Sequence, residues 1–371
     1  MENCDVLIVG GGPAGSTCAG RLRQAGFDVL LLDKANFPRD KPCAGWITPL
    51  VLETLAIDPN DYRKAGLLQE ISSFRTGLMQ TTGIKTGYGR PVSYGIRRCE
   101  FDHYLLQRSG VRQSPGEAVK NLQRQNGGWV VNGRIQTRLL IGAGGHFCPV
   151  ARCLGAKINL EDAVVAMVGE FAMTPEQTRL CPVQGDTPAL YFCRDLLGYG
   201  WLLRKGNYLN VGLGRLDQHN IGQHLREFQT FLEQRGELPS GLAEHFHGHA
   251  YLLYGGNNGR SRVSDGALLI GDAAGIAHRQ SGEGILPAIE SAKLAADTII
   301  AARGDYRRSC LEQYEAHLAK RLGSGGRESA SPLRMSGLAR FFGARFLESR
   351  WFARHIVLNR WFLHTDRQPL L

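Results

Sequence analysis

Apolar residues fall into two periods along this chain. Val6-Leu7-Ile8-Val9 is an unbroken apolar run that ends in Gly10-Gly-Gly-Pro-Ala-Gly15, the pattern of a buried strand entering a tight turn. Ser16–Gln24 has helical composition, Gly26 is placed to end that helix, and Phe27–Asp33 is a second apolar strand. A loop rich in proline and charge follows from Lys34 to Thr48, with a helix near Pro49–Leu55. Residues 70–95 read as strands and turns, Glu100–Arg108 as a helix, and Trp129–Asn132 and Arg138–Ile141 as strands. From Ala163 to Tyr254 the pattern is mainly that of strands, interrupted by helical spacing over Ile221–Arg235. Gly266–Asp272 is a strand running into another glycine-rich turn, and Ile285–Ala302 is a long helix. No repeat is visible, and Gly323 through Pro332 is the clearest linker.

These elements predict an α/β fold with a discontinuous Rossmann-type dinucleotide-binding domain (residues 1–70, 96–160 and 260–322). A mixed-sheet substrate domain (71–95 and 161–259) and a basic amphipathic helical region (333–371) complete it. At 371 residues and 43% hydrophobic, the chain has ample material for a core without staples. No apolar run approaches membrane-spanning length, and the N-terminus lacks a signal-peptide pattern. Nine scattered cysteines without a Cys-x-x-Cys pair point to reduced thiols and a cytoplasmic setting. The net charge of +10 is uneven. Arg334–Leu371 carries seven arginines and no lysine against Glu348 and Asp366, a net of five positive charges. Phe341, Phe342, Phe346, Trp351, Phe352, Trp361 and Phe362 interleave with those arginines. That mixture suits a helix at a lipid headgroup boundary, and equally one packed on the dinucleotide domain or a second subunit. No recognition motif supports a nucleic-acid partner.

Gly10-x-Gly12-x-x-Gly15 between strand and helix allows a tight turn and lets a pyrophosphate approach the positive helix terminus. Asp33, at the end of the second strand, is the acid expected to hold a ribose diol. A second motif, Leu268-Leu-Ile-Gly-Asp272-Ala-Ala-Gly275, is followed by Ser281-Gly-Glu-Gly-Ile285 and a helix. A carboxylate at a strand end, followed by small residues, can reach a polyol. Glycines at the next helix terminus present N–H groups to a developing anion.

Together these motifs resemble the group A FAD-dependent oxidoreductase and monooxygenase superfamily, which has the p-hydroxybenzoate hydroxylase fold. Within it the chain is similar to the geranylgeranyl reductase-like branch. Lys41-Pro-Cys43-Ala44-Gly45 resembles that branch's segment near the flavin, and Gly198-Tyr199-Gly-Trp201-Leu-Leu-Arg-Lys-Gly206 its substrate-cavity segment. Arg98 with Phe101 and Asp102 matches the superfamily's helix start beside the cofactor. The resemblance implies FAD held by Gly10, Gly12, Pro13, Ala14, Gly15, Asp33, Lys34, Lys41, Ala44, Gly45, Arg98, Gly271, Asp272, Gly282, Gly284 and Ile285. It implies catalytic parts for Cys43, Tyr199 and Trp201, and no metal. The implied reaction is hydride transfer from reduced flavin to a carbon–carbon double bond of a small apolar or amphiphilic substrate, with NAD(P)H or a ferredoxin-like protein as electron donor. Oxygen insertion or halogenation of a phenolic or polyketide-like substrate stands as the alternative. A non-catalytic redox sensor is the third reading.

Three departures from the family pattern bear on the chemistry. Gly144 stands where the superfamily has an aspartate implicated in both FAD and nicotinamide handling. His278-Arg279 replaces the usual Asn-Pro, and Arg204 a proline, which predicts cationic or titratable groups near the cavity. His245, His247 and His249 alternate, so a strand would put them on one face, either as a metal site or as a half-exposed polar edge.

Overall fold

Parallel pairing of the first two apolar runs sets the architecture of the computed structural model. It describes residues 1–156, 163–217, 219–238, 245–255, 260–323 and 345–371. The first run becomes β1 (Glu2–Val9), the glycine turn leads into α1 (Pro13–Gln24), and β2 (Val29–Asp33) lies beside β1 with Val6 opposite Val29. On the other side of β1, Ile135–Gly142 pairs in parallel, and Ala267–Leu269 pairs in parallel with that. Arg112–Pro115 extends the sheet past β2, and Gly128–Val131, Leu122–Gln125 and Val263–Ser264 add antiparallel strands to make eight in all. Val6 and Ile8 pack with Cys18, Leu22, Ala292 and Ile299 on one face, while Leu7 and Val9 pack with Leu32, Leu140 and Trp129 on the other. Burial on both faces explains why this strand is apolar throughout rather than alternating.

The second sheet has seven strands, in the order His247–Tyr251, Val164–Ala172, Tyr208–Arg215, Gly198–Lys205, Ala189–Phe192, Ser73–Leu78 and Ile84–Gly87. It is antiparallel except where Ala189–Phe192 meets Ser73–Leu78. The helix Ile221–Gln234 turns Leu225, Phe228, Phe231 and Leu232 onto one face of it, against Tyr191, Leu202 and Val211. Ala166, Val168, Leu190 and Trp201 point from the opposite face. A small third sheet of Trp46–Ile47, Ser93–Ile96 and Leu68–Ile71 lies beside these two.

The C-terminal segment runs as a short helix, Arg350–Phe352, and continues as a π-helix, Ala353–Phe362. Leu347, Val357, Leu358, Phe362 and Leu363 are buried with Ile71, Phe74 and Trp201, so the segment's apolar face packs on the second sheet, while His364 and Gln368 reach Glu283 and Arg321. Phe346 and Trp351 remain exposed. Among the described residues no helix is long and apolar enough to cross a membrane. The linker expected after Gly323, and Phe341 and Phe342, lie outside the described residues. The fold is therefore α/β: a discontinuous Rossmann-type sheet, a mixed second sheet and a helical C-terminal segment.

Besides Arg308–Leu311 and Gln313–Leu322, three short helices escape the periodicity reading: Pro59–Ala65, Pro149–Cys153 and Pro175–Leu180. Each is too short to show a hydrophobic stripe, yet each opens with proline at its first position. Asp58 and Thr174 cap two of them by accepting hydrogen bonds from the Asn60 and Gln177 amides.

Candidate active site

A cavity of about 680 Å³ lies where the glycine turns of the first sheet face the second sheet. Its first half is backbone-rich. Gly10, Gly12, Pro13, Ala14, Asp33 and Lys34 line it, with Gly144 on a neighbouring loop. Gly15 lies just behind them and sets how closely α1 approaches β1: a side-chain carbon there would sit 1.8 Å from the Gly10 carbonyl oxygen. The Asp33 carboxylate accepts from the Gly11 and Ala35 amides at 2.7 and 2.9 Å, which fixes the turn and leaves lone pairs for a diol. α1 has neither a side-chain cap nor an acidic residue in its first turn, so its amide dipoles are open to an anion. Arg39, which the motif reading missed, adds a cation there. Its guanidinium reaches to 3.5 Å of the position a Gly12 side-chain carbon would take, and pairs with Asp102 at 3.3 Å.

Asp272 marks the middle of the cavity, 3.1 Å from the position of a Gly284 side-chain carbon. Gly271 and Ala14 touch, so the two glycine motifs meet there. Gly282, at φ +70°, lies under the Tyr251 hydroxyl and has room for no side chain. Gly284 begins the long helix Ile285–Ala301, again without a side-chain cap or first-turn acid. Across from Asp272, His249 sets its Nε2 at 3.5 Å from the carboxylate, and Lys41 Nζ donates to His249 Nδ1 at 3.1 Å. Because Nδ1 accepts from an ammonium, the ring proton belongs on Nε2, facing Asp272. Burial raises the Asp272 pKa, but the His249 contact with the Lys41 and Arg98 charges outweighs it and holds the carboxyl below its usual range. Burial together with Lys41 pushes His249 below its ordinary value. Burial likewise lowers Lys41, against the pull of Asp272.

The alternating histidines therefore part company. His249 belongs to the cavity while His245 and His247 are exposed, and no group of three or more metal-binding side chains occurs among the described residues.

Cys43, Ala44 and Arg98 also line the cavity. Arg98 is buried and donates twice to Asp102, at 2.8 and 2.9 Å, while lying against the Cys43 thiol. The 43–45 segment is clamped from the second sheet. Fully buried Lys205 donates to the carbonyls of Ala44 at 3.0 Å and Ile96 at 2.8 Å and pairs with Glu170. Asn210 donates to the Cys43 carbonyl at 2.9 Å and accepts from Trp201 Nε1 at 2.8 Å. Gly45 fits beneath Ile96 and Lys205 and does not itself face the cavity. Composition gave no sign of Lys205, since a lone lysine in a strand ordinarily reads as solvated.

The second half of the cavity is apolar. Ala166, Val168, Leu190, Trp201, Trp46 and Phe362 line it, together with Tyr199, whose hydroxyl donates to the Ser281 carbonyl. Burial pushes that hydroxyl well above the ordinary tyrosine value and keeps it protonated. The cationic groups expected here are elsewhere. Arg204 turns to the carbonyls of Gly206 and Val183, Arg279 to that of Tyr254, and His278 lies against His364 with ring centres 4.2 Å apart and planes tilted by 36°. None of the three lines the cavity.

This donor set fits FAD: two uncapped helix termini and Arg39 for its phosphates, two carboxylates for its ribose and polyol, and glycine surfaces where a side chain would intrude. Comparison with known proteins agrees. Residues 3–92 match the family model described as an FAD binding domain. The chain is 27% identical over 354 residues to digeranylgeranylglycerophospholipid reductase 1 of Methanothermobacter thermautotrophicus, covering 87% of this chain and 86% of that one. It is 28% identical over 339 residues to menaquinone reductase of Mycobacterium tuberculosis, covering 80% and 77%. The crystal structure of a geranylgeranyl bacteriochlorophyll reductase-like protein from Thermoplasma acidophilum shares the fold, with a TM-score of 0.75 at 22% identity over 94% of this chain and 88% of that one. Over most of its length the chain thus resembles the geranylgeranyl reductase-like branch of the group A FAD-dependent oxidoreductase and monooxygenase superfamily, with an FAD binding domain matched at residues 3–92.

Proposed function

We propose that this FAD-dependent oxidoreductase is a reductase that saturates a carbon–carbon double bond in an apolar, prenyl-like substrate. The observation that carries this reading is the wall of Ala166, Val168, Leu190 and Trp201, which adjoins the Cys43 segment with no cation turned into it from Arg204, His278 or Arg279. A carboxylate or phosphate would find no partner on that wall, whereas an isoprenoid chain would gain about 0.8 kcal/mol for each CH₂ buried. Two relatives named for reductions of lipid or quinone substrates support the same reading.

Reduced FAD, when bound, supplies hydride. The protein's part is to hold and to protonate. Asp33 would receive the adenosine ribose, Gly10–Gly15 with Lys34 and Arg39 the pyrophosphate, Asp272 the ribityl chain, and the Gly282–Ile285 amides an anionic ring edge. Lys41 and His249 keep positive and proton-donating groups beside Asp272, and Arg98 steadies Cys43. Cys43 and Tyr199, which face the same space as the apolar wall, are the proposed proton donors, with Trp201 shaping the wall. The electron donor is proposed to be NAD(P)H or a ferredoxin-like protein.

The test is anaerobic: chemically reduced holoprotein is mixed with geranylgeranyl lipid while flavin absorbance and product mass are followed. Reoxidation of flavin in step with a gain of two hydrogens per double bond is the expected outcome. Reoxidation only on admitting oxygen, with an oxygenated product, would transfer the assignment to a monooxygenase.

A further inference from the structure

We propose that Phe362, carried by the C-terminal segment, is a specificity-determining residue that sets the length of apolar chain the cavity admits. The inference rests on the reading of this cavity as a site for an apolar substrate. Phe362 lines the cavity although it belongs to neither of the large sheets. Its ring stacks on Trp46, with centres 5.2 Å apart and planes 9° from parallel, and meets Tyr199 edge-on at 5.4 Å. Behind it Val357, Leu358 and Leu363 are buried against Phe74, so the ring is the cavity-facing surface of a solid cluster.

The segment is fastened on both sides of this ring. Before it, the Tyr88 hydroxyl bonds Asn359 Oδ1 at 2.7 Å. After it, His364 Nε2 meets Glu283 at 2.9 Å, and Arg321 donates to the Gln368 carbonyl at 2.6 Å. Glu283 sits between Gly282 and Gly284, so the segment that supplies the wall is tied to the turn proposed to face the cofactor. A ring held in this way cannot swing aside for a longer chain. Chain length then becomes a matter of side-chain volume at position 362, where pocket size discriminates by about tenfold or more per excess group.

The experiment measures binding rather than turnover. Oxidised holoprotein is titrated with geraniol, farnesol and geranylgeraniol, followed by quenching of tryptophan fluorescence, since Trp46 and Trp201 line the cavity. FAD content and Tm confirm that each variant is folded. Phe362→Ala is expected to move the tightest binding to a longer alcohol, changing the long-to-short Kd ratio by about tenfold or more. Phe362→Trp should move it to a shorter one, and Phe362→Leu should fall between wild type and alanine. Equal changes at all three lengths, or none, would overturn the role of Phe362. Failure of wild type to bind any of the alcohols would overturn the apolar-substrate reading itself, and the inference with it.

Discussion

Asp272 and His249 face each other at 3.5 Å, one in the 3-10 turn after the strand Ala267–Leu269 of the first sheet and the other on the strand His247–Tyr251 of the second. This pairing joins the glycine-turn side of the cavity to the second sheet. It also keeps a carboxylate ionised in a place where burial alone would favour its protonation. Asp272→Ala removes both the polyol acceptor and the counter-charge to Lys41. The variant should purify with much less bound flavin than wild type, read as flavin absorbance relative to protein. Unchanged occupancy would remove Asp272 from the cofactor site.

The buried histidines give stability a definite pH dependence. Burial, reinforced by the nearby His364 and Arg367, holds His278 down to about 3, and His249 is also depressed. Both stay neutral in the folded protein, whereas in the unfolded chain they take up protons near their ordinary value of about 6.5. Below that value the unfolded state binds more protons, so stability falls as pH falls, and for His278 the fall continues to about 3. Each such proton contributes a slope of up to about 1.4 kcal/mol per pH unit. His278→Asn should therefore flatten the decline of Tm between about pH 6.5 and 5. Parallel curves for variant and wild type would refute the assignment.

Lys205 offers a test of the clamp on the Cys43 segment. Lys205→Met leaves the Ala44 and Ile96 carbonyls without their donor and deprives Glu170 of its closest cation. Removing one partner of a buried pair costs about 3–5 kcal/mol, to be read from the denaturant midpoint. Adding Glu170→Gln should recover part of that loss. Strictly additive losses would mean that the two side chains act independently.

The parts of the site that a sequence can disclose are those fixed by backbone geometry. The Gly10–Gly15 turn, Asp33 and the Gly271–Ile285 stretch are local: spacing alone obliges them to lie at strand ends and helix starts, and all reach the cavity or its supporting turn. The parts that stayed hidden depend on contacts between distant segments. His249 looked like one of three equivalent histidines until its position along the edge strand put it, and not the exposed His247, beside Asp272. Lys205 is buried because two carbonyls from another sheet and Glu170 converge on it, which no periodicity records. Arg204, His278 and Arg279 were misplaced for the same reason. A position in the sequence gives proximity to a loop, while side-chain direction is set by tertiary packing.

Gly10 and Phe362 line one cavity from nearly opposite ends of the described chain. During synthesis at about 5–20 residues per second, the glycine turn emerges roughly 20–70 s before the ring that completes the wall. For roughly the last 8–30 s of that interval Val168, Leu190 and Trp201 have been made but have no C-terminal segment to cover them. The newborn chain thus presents an open apolar trough, a surface on which a chaperone can hold it and through which two unfinished copies can aggregate. Docking of the last helix is then the step that ends this exposure, so yield in a cell should depend on that helix as much as specificity does.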